Sequence, residues 1–362
     1  MTAGTMVTKG VKADVKTDDV VATLGEVTAA RGMDALTARL EALQSLLAGD
    51  LAEVEEALGV VGLEGDTPAH RSARHLLALG GKRLRPICVA LAAHVGTGFN
   101  EAAKTFAVAV EMIHNATLLH DDVVDLGDRR RGADTARVVY GNAASIFGGD
   151  FLLADALCRV QAAGVDGVLP HMLKTVKELV TAETLQLAAR GKVRSSTSDY
   201  FRIAQGKTAS LFRWAMFAGA RAGGVGLREC EALEAYGGML GLAFQIVDDV
   251  LDYAGDPDAT GKDLLTDLRE GKMTYPLLLA VERDPGLAVA LEANCRGDEV
   301  SVTPEIARRI GRVMSEGGVV PECLTLATRM CRDAAKSLEI LPSSPARSAL
   351  EDVALATPLR RK

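Results

Sequence analysis

The chain has 362 residues, of which 48% are hydrophobic and 25% charged, and its formal net charge is −7. This is ordinary globular composition, and without a basic excess no nucleic-acid partner is expected. The apolar runs are far too short to cross a bilayer, the N-terminus lacks a signal-peptide core, and the six cysteines form no CxxC pair. We therefore expect a soluble cytoplasmic protein with reduced thiols and no transmembrane segment.

Taken in chain order, residues 1–34 are polar and weakly periodic, and they predict a mobile N-terminal tail, which leaves 35–362 as the folded domain. From there apolar residues recur at helical spacing, and alternating runs typical of strands are few. Predicted helices cover residues 34–60, 67–79, 84–95, 100–124, 135–162, 168–189, 197–222, 227–253, 273–283, 303–316 and 319–340. No linker or composition shift separates a second domain. The fold class is predicted to be a single all-α domain.

A cluster of three carboxylates ends the apolar helix predicted over 100–124. Asp121 and Asp125 share one helical face, one turn apart, and Asp122 lies beside them. Like charges at this spacing repel, so something positive is expected nearby.

The same D-D-x-x-D spacing recurs 127 residues later as Asp248, Asp249 and Asp252, again at the end of an apolar helix. One such cluster could be a solvated helix end, but two copies predict a shared site. Six carboxylates converging on one cavity need cations. All-oxygen ligands suit Mg²⁺, which typically bridges carboxylates to substrate phosphates.

Short basic motifs surround these clusters and predict the rest of a phosphate site. Arginine binds phosphate bidentately and lysine acts as a point charge. The motifs are GGKRLRP at residues 80–86, DRRRG at 128–132, GKT at 206–208, GK at 261–262 and GK at 271–272.

Two other phosphate chemistries fit the sequence less well. A P-loop needs a glycine five residues before the Gly of Gly-Lys, but Phe201 and Asp256 occupy those places. A helical metal phosphohydrolase could use His120-Asp121, but the chain has only six histidines and the second aspartate cluster would have no role.

With these motifs assembled, the chain closely resembles the all-trans polyprenyl diphosphate synthase family. GGKRLRP, LLHDDVVD followed by RRG, GKTASLF, FQIVDDVLD and GKDLLTDLREGK match the family motifs in order, from about residue 40 onward. The resemblance implies an all-α bundle around a deep central cavity, usually a homodimer, in which both aspartate motifs face the cavity mouth. It also implies about three Mg²⁺ ions and two substrates, isopentenyl diphosphate and an allylic diphosphate primer.

The resemblance assigns roles residue by residue. Metal binding falls to Asp121, Asp122, Asp125, Asp248, Asp249 and Asp252. The allylic diphosphate would be held by Arg130, Lys207, Lys262 and Lys272, and the isopentenyl diphosphate by Lys82, Arg85, His114 and Arg131. Thr208 and Gln245 would stabilise developing positive charge through their oxygen dipoles. The catalytic group is therefore expected to comprise Asp121, Asp122, Asp125, Lys207, Thr208, Gln245, Asp248, Asp249 and Lys262.

The residues before the first cluster predict the product length. Ala116 and Thr117 lie about one turn before Asp121, where the growing hydrocarbon has to pass. Both are small, and Met112 and Ile113 in the next turn are not aromatic, so a medium- or long-chain product is expected. An alternative interpretation is that Ala116 is an ordinary packing alanine.

Two positions depart from the family pattern. Leu265-Thr266-Asp267 stands where a Gly followed by Asp-Asp or Thr-Asp is usual, and Ala182 stands where a Gly often precedes Glu183. The alternatives that remain open are a short-chain (geranylgeranyl or farnesyl) diphosphate synthase and a non-catalytic subunit of a heteromeric synthase. Head-to-head synthases also use paired aspartate motifs, but GGKRLRP and the RRG favour head-to-tail chemistry.

Overall fold

The structure is a computed structural model that describes residues 20–254 and 264–360. Its N-terminal half consists of long helices joined by short loops. They are α1 (Val20–Ala30), α2 (Asp34–Gly59), α3 (Pro68–Ala78), α4 (Leu84–His94), α5 (Glu101–Val124), α6 (Ala136–Tyr140), α7 (Asn142–Ala163), α8 (Val168–Ala189) and α9 (Thr197–Ala204). Between α5 and α6 the strands β1 (Arg129–Arg130) and β2 (Ala133–Asp134) form an antiparallel hairpin.

The rest of the chain is also mainly helical. A π-helix (Gln205–Ala209) joins α9 to α10 (Ser210–Ala222), and α11 (Leu227–Ala254) comes after it. Beyond residue 263 come α12 (Thr266–Arg269), α13 (Tyr275–Arg283), α14 (Pro285–Ala293), α15 (Pro304–Ser315), α16 (Val319–Ser337) and α17 (Pro345–Ala356). A second antiparallel hairpin, β3 (Cys295–Arg296) with β4 (Glu299–Val300), lies between α14 and α15. The predicted all-α fold class is confirmed.

The centre of the bundle is formed by α5, α10 and α11. Helix α5 packs against α4, α7 and α10, and α11 packs against α10 and α16. Phe106 of α5 meets Trp214 of α10 edge-on with ring centroids 5.9 Å apart, and both side chains are fully buried. Gly219 lets α10 approach α4 closely, since a Cβ there would lie 2.2 Å from the Val89 carbonyl oxygen. This packing fixes the C-terminal ends of α5 and α11, which carry the two aspartate motifs.

Several elements differ from the sequence prediction. The segment 135–162 is two helices because Gly141, at φ +88°, breaks it, and 197–222 is interrupted by the π-helix. Helices α14 and α17 were not predicted. Each begins with a proline, and the side chain before that proline caps the helix. Asp284 caps α14 and Ser344 caps α17, each by accepting a hydrogen bond from a backbone amide. Such caps satisfy amides that the helix itself leaves unpaired.

Helix α1 lies within the segment predicted as a mobile tail. Its Val21 and Leu24 are buried against the rest of the bundle, and Arg31 just after it donates a hydrogen bond to the carbonyl of Leu359. Packing rather than periodicity therefore holds residues 20–30 in place. The mobile tail remains a prediction for residues 1–19, which lie outside the described part. Within residues 20–254 and 264–360, no helix combines the length and apolar character needed for a membrane span.

Candidate active site

The first aspartate motif closes α5, where the helix C-terminus itself carries partial negative charge. Asp121 and Asp122 lie in the last turn and Asp125 is the C-cap residue. Three carboxylates at that end require nearby cations, as the sequence predicted. In the structure each of the three carboxylates pairs with its own cationic side chain, and Asp125 pairs with two.

Asp125 is held by two cations from distant parts of the chain. Lys272 Nζ lies 2.9 Å from its Oδ2, and the Arg190 guanidinium pairs with its Oδ1. Burial alone would raise the pKa of Asp125, but Lys272 and Arg190 outweigh burial and the pKa lies below its usual value. Asp125 is therefore a carboxylate at neutral pH.

Asp122 points into the protein rather than toward solvent. It is 2% exposed, and Arg130 of β1 donates to its Oδ1 at 2.8 Å. Burial raises the pKa of Asp122 in spite of Arg130. The hairpin β1–β2 thus connects the first aspartate motif to the arginine motif that comes after it in sequence.

Lys207 lies in the π-helix and forms the third cationic contact. Its Nζ lies 2.8 Å from Glu183 Oε1, 3.0 Å from Gln186 Oε1 and 3.4 Å from Asp121 Oδ2. Burial would lower the pKa of Lys207, but Asp121 and Glu183 raise it above its usual value. π-Helical turns occur frequently at functional sites, and this one places a charged lysine between α5 and α8.

The second motif, at the end of α11, divides into three environments. The Asp248 side chain is 46% exposed and pairs with Arg360 at 3.1 Å, whereas Asp249 is buried. Asp252 accepts hydrogen bonds from the amides of Thr266 and Asp267, where the described chain resumes.

Asp249 anchors a chain of hydrogen bonds that reaches the predicted charge-stabilising pair. Tyr200 donates to its Oδ2 and Gln245 Nε2 to its Oδ1, both at 2.7 Å. Thr208 in turn donates to Gln245 Oε1 at 2.5 Å. Burial, and then Asp267, raise the pKa of Asp249 well above its usual value.

Four arginines lie near His114, two helical turns before Asp121 on α5. Burial lowers the pKa of His114 well below 6.5, and four neighbouring guanidiniums lower it further, those of Arg85, Arg131, Arg130 and Arg83. Arg83 is paired with Glu55 and Glu111, at 2.6 Å to Glu111 Oε1. In the described part of the chain, Arg85 and Arg131 form no ion pair with a carboxylate. This concentration of positive charge, with a neutral histidine at its centre, is suited to an anion.

A pocket beside the second motif is lined by Lys207, Lys272 and the hydrogen-bonded chain around Asp249. It holds about 730 Å³ of space open to solvent. Its lining includes Gln186, Arg190, Tyr200, Lys207, Thr208, Gln245, Asp249, Asp267 and Lys272. Asp121 and Asp125 adjoin the pocket through their contacts with Lys207, Arg190 and Lys272.

The residues predicted to govern chain length are in the core of α5. Met112, Ile113 and Ala116 are at most 2% exposed, and the Thr117 hydroxyl donates to the carbonyl of His114 at 2.8 Å. None of the four lines the pocket beside the second motif. Their role as a tunnel wall stays a prediction.

Two predicted ligands are less well placed by the structure. Lys262 lies outside the described residues. Lys82 comes directly after Gly81, where an added Cβ would come within 3.0 Å of the Arg131 guanidinium, so the GGKR loop adjoins the arginine cluster.

The acidic side chains fit a divalent ion shared with a ligand better than a metal site made by protein alone. Among residues 20–254 and 264–360, no group of three or more His, Cys, Asp or Glu side chains could hold a metal ion by itself. Asp122 and Asp249 are buried, and backbone amides hold Asp252. Asp121, Asp125 and Asp248 also pair with protein cations, but their side chains are 18%, 15% and 46% exposed, so an ion can reach them. Mg²⁺ commonly binds through one or two carboxylates together with substrate phosphates. The described residues fit that pattern.

Sequence reasoning missed Arg190, Gln186, Tyr200, Arg83 and Arg360 as members of the site. Arg83 stood inside the GGKRLRP motif and could have been included. Arg190 and Tyr200 lie in none of the sequence motifs, and only the packing of α8 and α9 brings them to Asp125 and Asp249.

Comparison with known proteins gives consistent matches over most of the chain. The model of the family described as polyprenyl synthetase matches residues 67–308. Heptaprenyl diphosphate synthase component 2 of Geobacillus stearothermophilus is 35% identical over 88% of this chain and 98% of its own. Octaprenyl diphosphate synthase of Haemophilus influenzae is 37% identical, covering 87% and 95%.

A solved structure agrees with these matches. The polyprenyl synthase from Caulobacter crescentus, complexed with calcium and isoprenyl diphosphate, superposes with a TM-score of 0.82 at 37% identity, covering 88% of this chain and 97% of that one.

Proposed function

Because the chain belongs to the polyprenyl synthetase family, we propose that it condenses isopentenyl diphosphate with an allylic diphosphate, head to tail, into a medium- or long-chain all-trans polyprenyl diphosphate. The family resemblance drawn from the sequence motifs is confirmed. The chain is a prenyltransferase, and relatives named as heptaprenyl and octaprenyl diphosphate synthases support the product class.

The observation that carries the proposal is the presence of two groups of cationic side chains near the first aspartate motif. One is the arginine cluster around His114, and the other is the pocket with Lys207 and Lys272. Two diphosphate substrates require two such regions. We assign the isopentenyl diphosphate to the arginine cluster, with Lys82 at its edge.

The allylic diphosphate is assigned to the pocket, where Lys207 and Lys272 would hold it. Arg130, which pairs with Asp122, and Lys262, which lies outside the described residues, are proposed as further ligands from the family resemblance alone. Asp121, Asp125 and Asp248 would hold the divalent ions, for which Mg²⁺ is proposed, about three in number. When bound, these ions neutralise the charge of the leaving diphosphate. Calcium and isoprenyl diphosphate in the Caulobacter crescentus structure support a divalent ion.

The chain's own residues then act on the hydrocarbon. The C–O bond to the allylic diphosphate breaks, and a C–C bond forms between the allylic C1 and the terminal carbon of isopentenyl diphosphate. Thr208 donates its hydrogen to Gln245 Oε1, so the lone pairs of its oxygen are available to the developing positive charge. A proton is then lost from isopentenyl C2, and we assign it to the released diphosphate.

Product length is assigned to α5. Ala116 and Thr117 are small, and the turn before them carries Met112 and Ile113. One helical turn rises about 5.4 Å, near the length of an isoprene unit, so each turn would admit about one more condensation. These side chains favour a product longer than four isoprene units. The short-chain alternative would need a bulky residue at one of these positions.

A homodimer is proposed from the exposed apolar side chains of α6, α7 and α8. On α8 these side chains recur every seven residues, at Leu173, Val180 and Leu187, and so share one helical face. Helix α6 and the start of α7 also carry exposed apolar side chains, at Val138, Val139, Tyr140, Ile146 and Phe147. A face of this kind is typical of an interface. The cytoplasmic location expected from the cysteine pattern stays a prediction.

The main alternative is a non-catalytic subunit of a heteromeric synthase, which the name of the Geobacillus stearothermophilus relative makes worth testing. Against it, every aspartate and lysine of the motifs is present in this sequence.

One experiment separates these functions. The purified protein is incubated alone with Mg²⁺, isopentenyl diphosphate and farnesyl diphosphate, and the products are sized by chromatography. We expect products longer than four isoprene units. Geranylgeranyl diphosphate as the end product would establish the short-chain alternative, and the absence of product from the protein alone would favour the subunit alternative.

A further inference from the structure

The two cations that hold Asp125 are each next to a glycine, and the two glycines are bonded to each other. Arg190 precedes Gly191, and Lys272 comes directly after Gly271. The amide of Gly191 donates to the carbonyl of Gly271 at 2.9 Å. This hydrogen bond therefore sets the distance between the backbone positions from which the Arg190 and Lys272 side chains extend.

The hairpin β3–β4 is packed directly on both glycines. A Cβ at Gly271 would lie 1.9 Å from the carbonyl oxygen of Asp298, and one at Gly191 would lie 2.5 Å from that of Gly297. The Cys295 thiol, at the start of the hairpin, donates to the Gly191 carbonyl at 3.4 Å. Both glycines also have φ near +70°, a conformation that side chains rarely adopt.

The hairpin is itself tied to the chain that it covers. Arg194, three residues after Gly191, pairs with Glu292 at the end of α14 at 2.6 Å. Helix α14 leads directly into β3. The pair links the helix that leads into the hairpin to the segment that follows Gly191.

We infer that the hairpin Cys295–Val300 is a positioning element of the active site: it clamps Gly191 to Gly271 and so holds Arg190 and Lys272 on Asp125. None of its residues touches the pocket. It acts through Asp125, whose orientation toward the allylic diphosphate and its metal ions depends on both cations. The inference rests on the proposed function, since it assigns the clamp to the allylic side of that site.

The test compares two glycines that share φ +71° but differ in their surroundings. Gly271→Ala places a Cβ against the hairpin, whereas Gly224→Ala, between α10 and α11, meets nothing within 4 Å. We expect Gly271→Ala to raise the KM for farnesyl diphosphate about tenfold or more, and to change the KM for isopentenyl diphosphate less than about twofold, as loss of charge-assisted contacts at one site predicts. Gly224→Ala should lower Tm and leave both KM values unchanged. Equal changes in both KM values for Gly271→Ala would overturn the inference.

A double variant separates positioning from general damage. If Gly271 acts through the cations on Asp125, Arg190→Gln should add little to the effect of Gly271→Ala, because interacting residues are not additive. If the change in KM of the double variant equals the product of the two single changes, the clamp is contradicted. Should Gly271→Ala fail to fold, Cys295→Ala removes the thiol contact without adding atoms, and it should raise only the farnesyl diphosphate KM. No change in that KM would overturn the inference.

A binding measurement keeps this test independent of the proposed reaction. Calorimetric titration of inorganic diphosphate in the presence of Mg²⁺ should show weaker binding to Gly271→Ala than to the unaltered protein and to Gly224→Ala. Equal binding by all three proteins would refute the clamp even if condensation is observed. If the unaltered protein catalysed no condensation, the proposed function would be refuted instead.

Discussion

Tyr200 of α9 donates a hydrogen bond to Asp249 of α11 across 2.7 Å, and both side chains are buried. The bond joins the helix that leads into the π-helix to the second aspartate motif. Since Asp249 also accepts from Gln245, which accepts from Thr208, Tyr200 supports the group proposed to face the developing cation.

Tyr200→Phe should therefore affect both stability and turnover. Removing the hydroxyl leaves a buried carboxylate oxygen without its donor, which should lower the free energy of unfolding by about 1–3 kcal/mol. The loosened Gln245 should also reduce kcat several-fold. Tyr236→Phe is the matched control, because buried Tyr236 donates to the Leu350 carbonyl at 2.7 Å, away from the site. It should lose stability in urea denaturation but keep its kcat; an equal loss of kcat in both variants would contradict the support role.

Asp121→Ala and Asp248→Ala should each remove turnover while the helical circular dichroism stays unchanged. Both side chains belong to the proposed metal-binding set and neither fills the core. Loss of a group that stabilises charge in the transition state costs about 10²- to 10³-fold in rate. Asp128→Ala is the control, because Asp128 is exposed and pairs only with Arg137 among the described residues. Near-normal rates for Asp121→Ala at saturating Mg²⁺ would show that the metal assignment is wrong.

The two anion-binding regions should separate kinetically. Lys82→Ala and Arg85→Ala should raise the KM for isopentenyl diphosphate more than that for the primer, and Lys207→Ala should do the reverse. A lost charge-assisted contact is worth about 1.5–3 kcal/mol, or roughly ten- to a hundredfold in KM. Initial rates with each substrate varied in turn measure this. If each variant shifts both KM values alike, the division between the regions fails.

Ala116→Tyr should shorten the product to about three or four isoprene units, because the ring would fill the space of one helical turn above Met112. Chromatographic sizing of the products gives the length, and Ala116→Ser, which adds little volume, should leave it unchanged. Unaltered product length in Ala116→Tyr would support the alternative that Ala116 only packs the core, where it is 2% exposed.

His114 should make stability depend on pH in a defined direction. Burial and four arginines hold the pKa of His114 well below 6.5 in the folded protein. Between that pKa and 6.5 the unfolded chain binds a proton that the folded chain does not, so stability falls as pH decreases through this window and is unaffected above it. Urea denaturation measures the free energy of unfolding at each pH. Between about pH 7.5 and pH 5.5 this free energy should fall by about 1 kcal/mol more in the unaltered protein than in His114→Asn. Parallel pH dependence in both proteins would contradict the lowered pKa.

Sequence periodicity predicted the long helices well because their buried faces repeat every three to four residues, as in α5 and α11. It failed where local geometry overrides the repeat, as at Gly141, which breaks one predicted helix, and at α1, whose burial depends on packing against α2. The motif residues were found because charge clusters at the end of apolar helices are unusual. Arg190 and Tyr200 could not be found, because an isolated arginine or tyrosine has no spacing that reports its partner.

The π-helix at Gln205–Ala209 limits the insertions and deletions that the chain can accept during evolution. A π turn contains one more residue than the α turn that would replace it. Deleting Gly206 would rotate α9 by about 100° and shift it by about 1.5 Å relative to α10. Either Tyr200 would then turn away from Asp249, or Thr208 would turn away from Gln245. The number of residues in this segment is therefore fixed by the contacts on both sides of it.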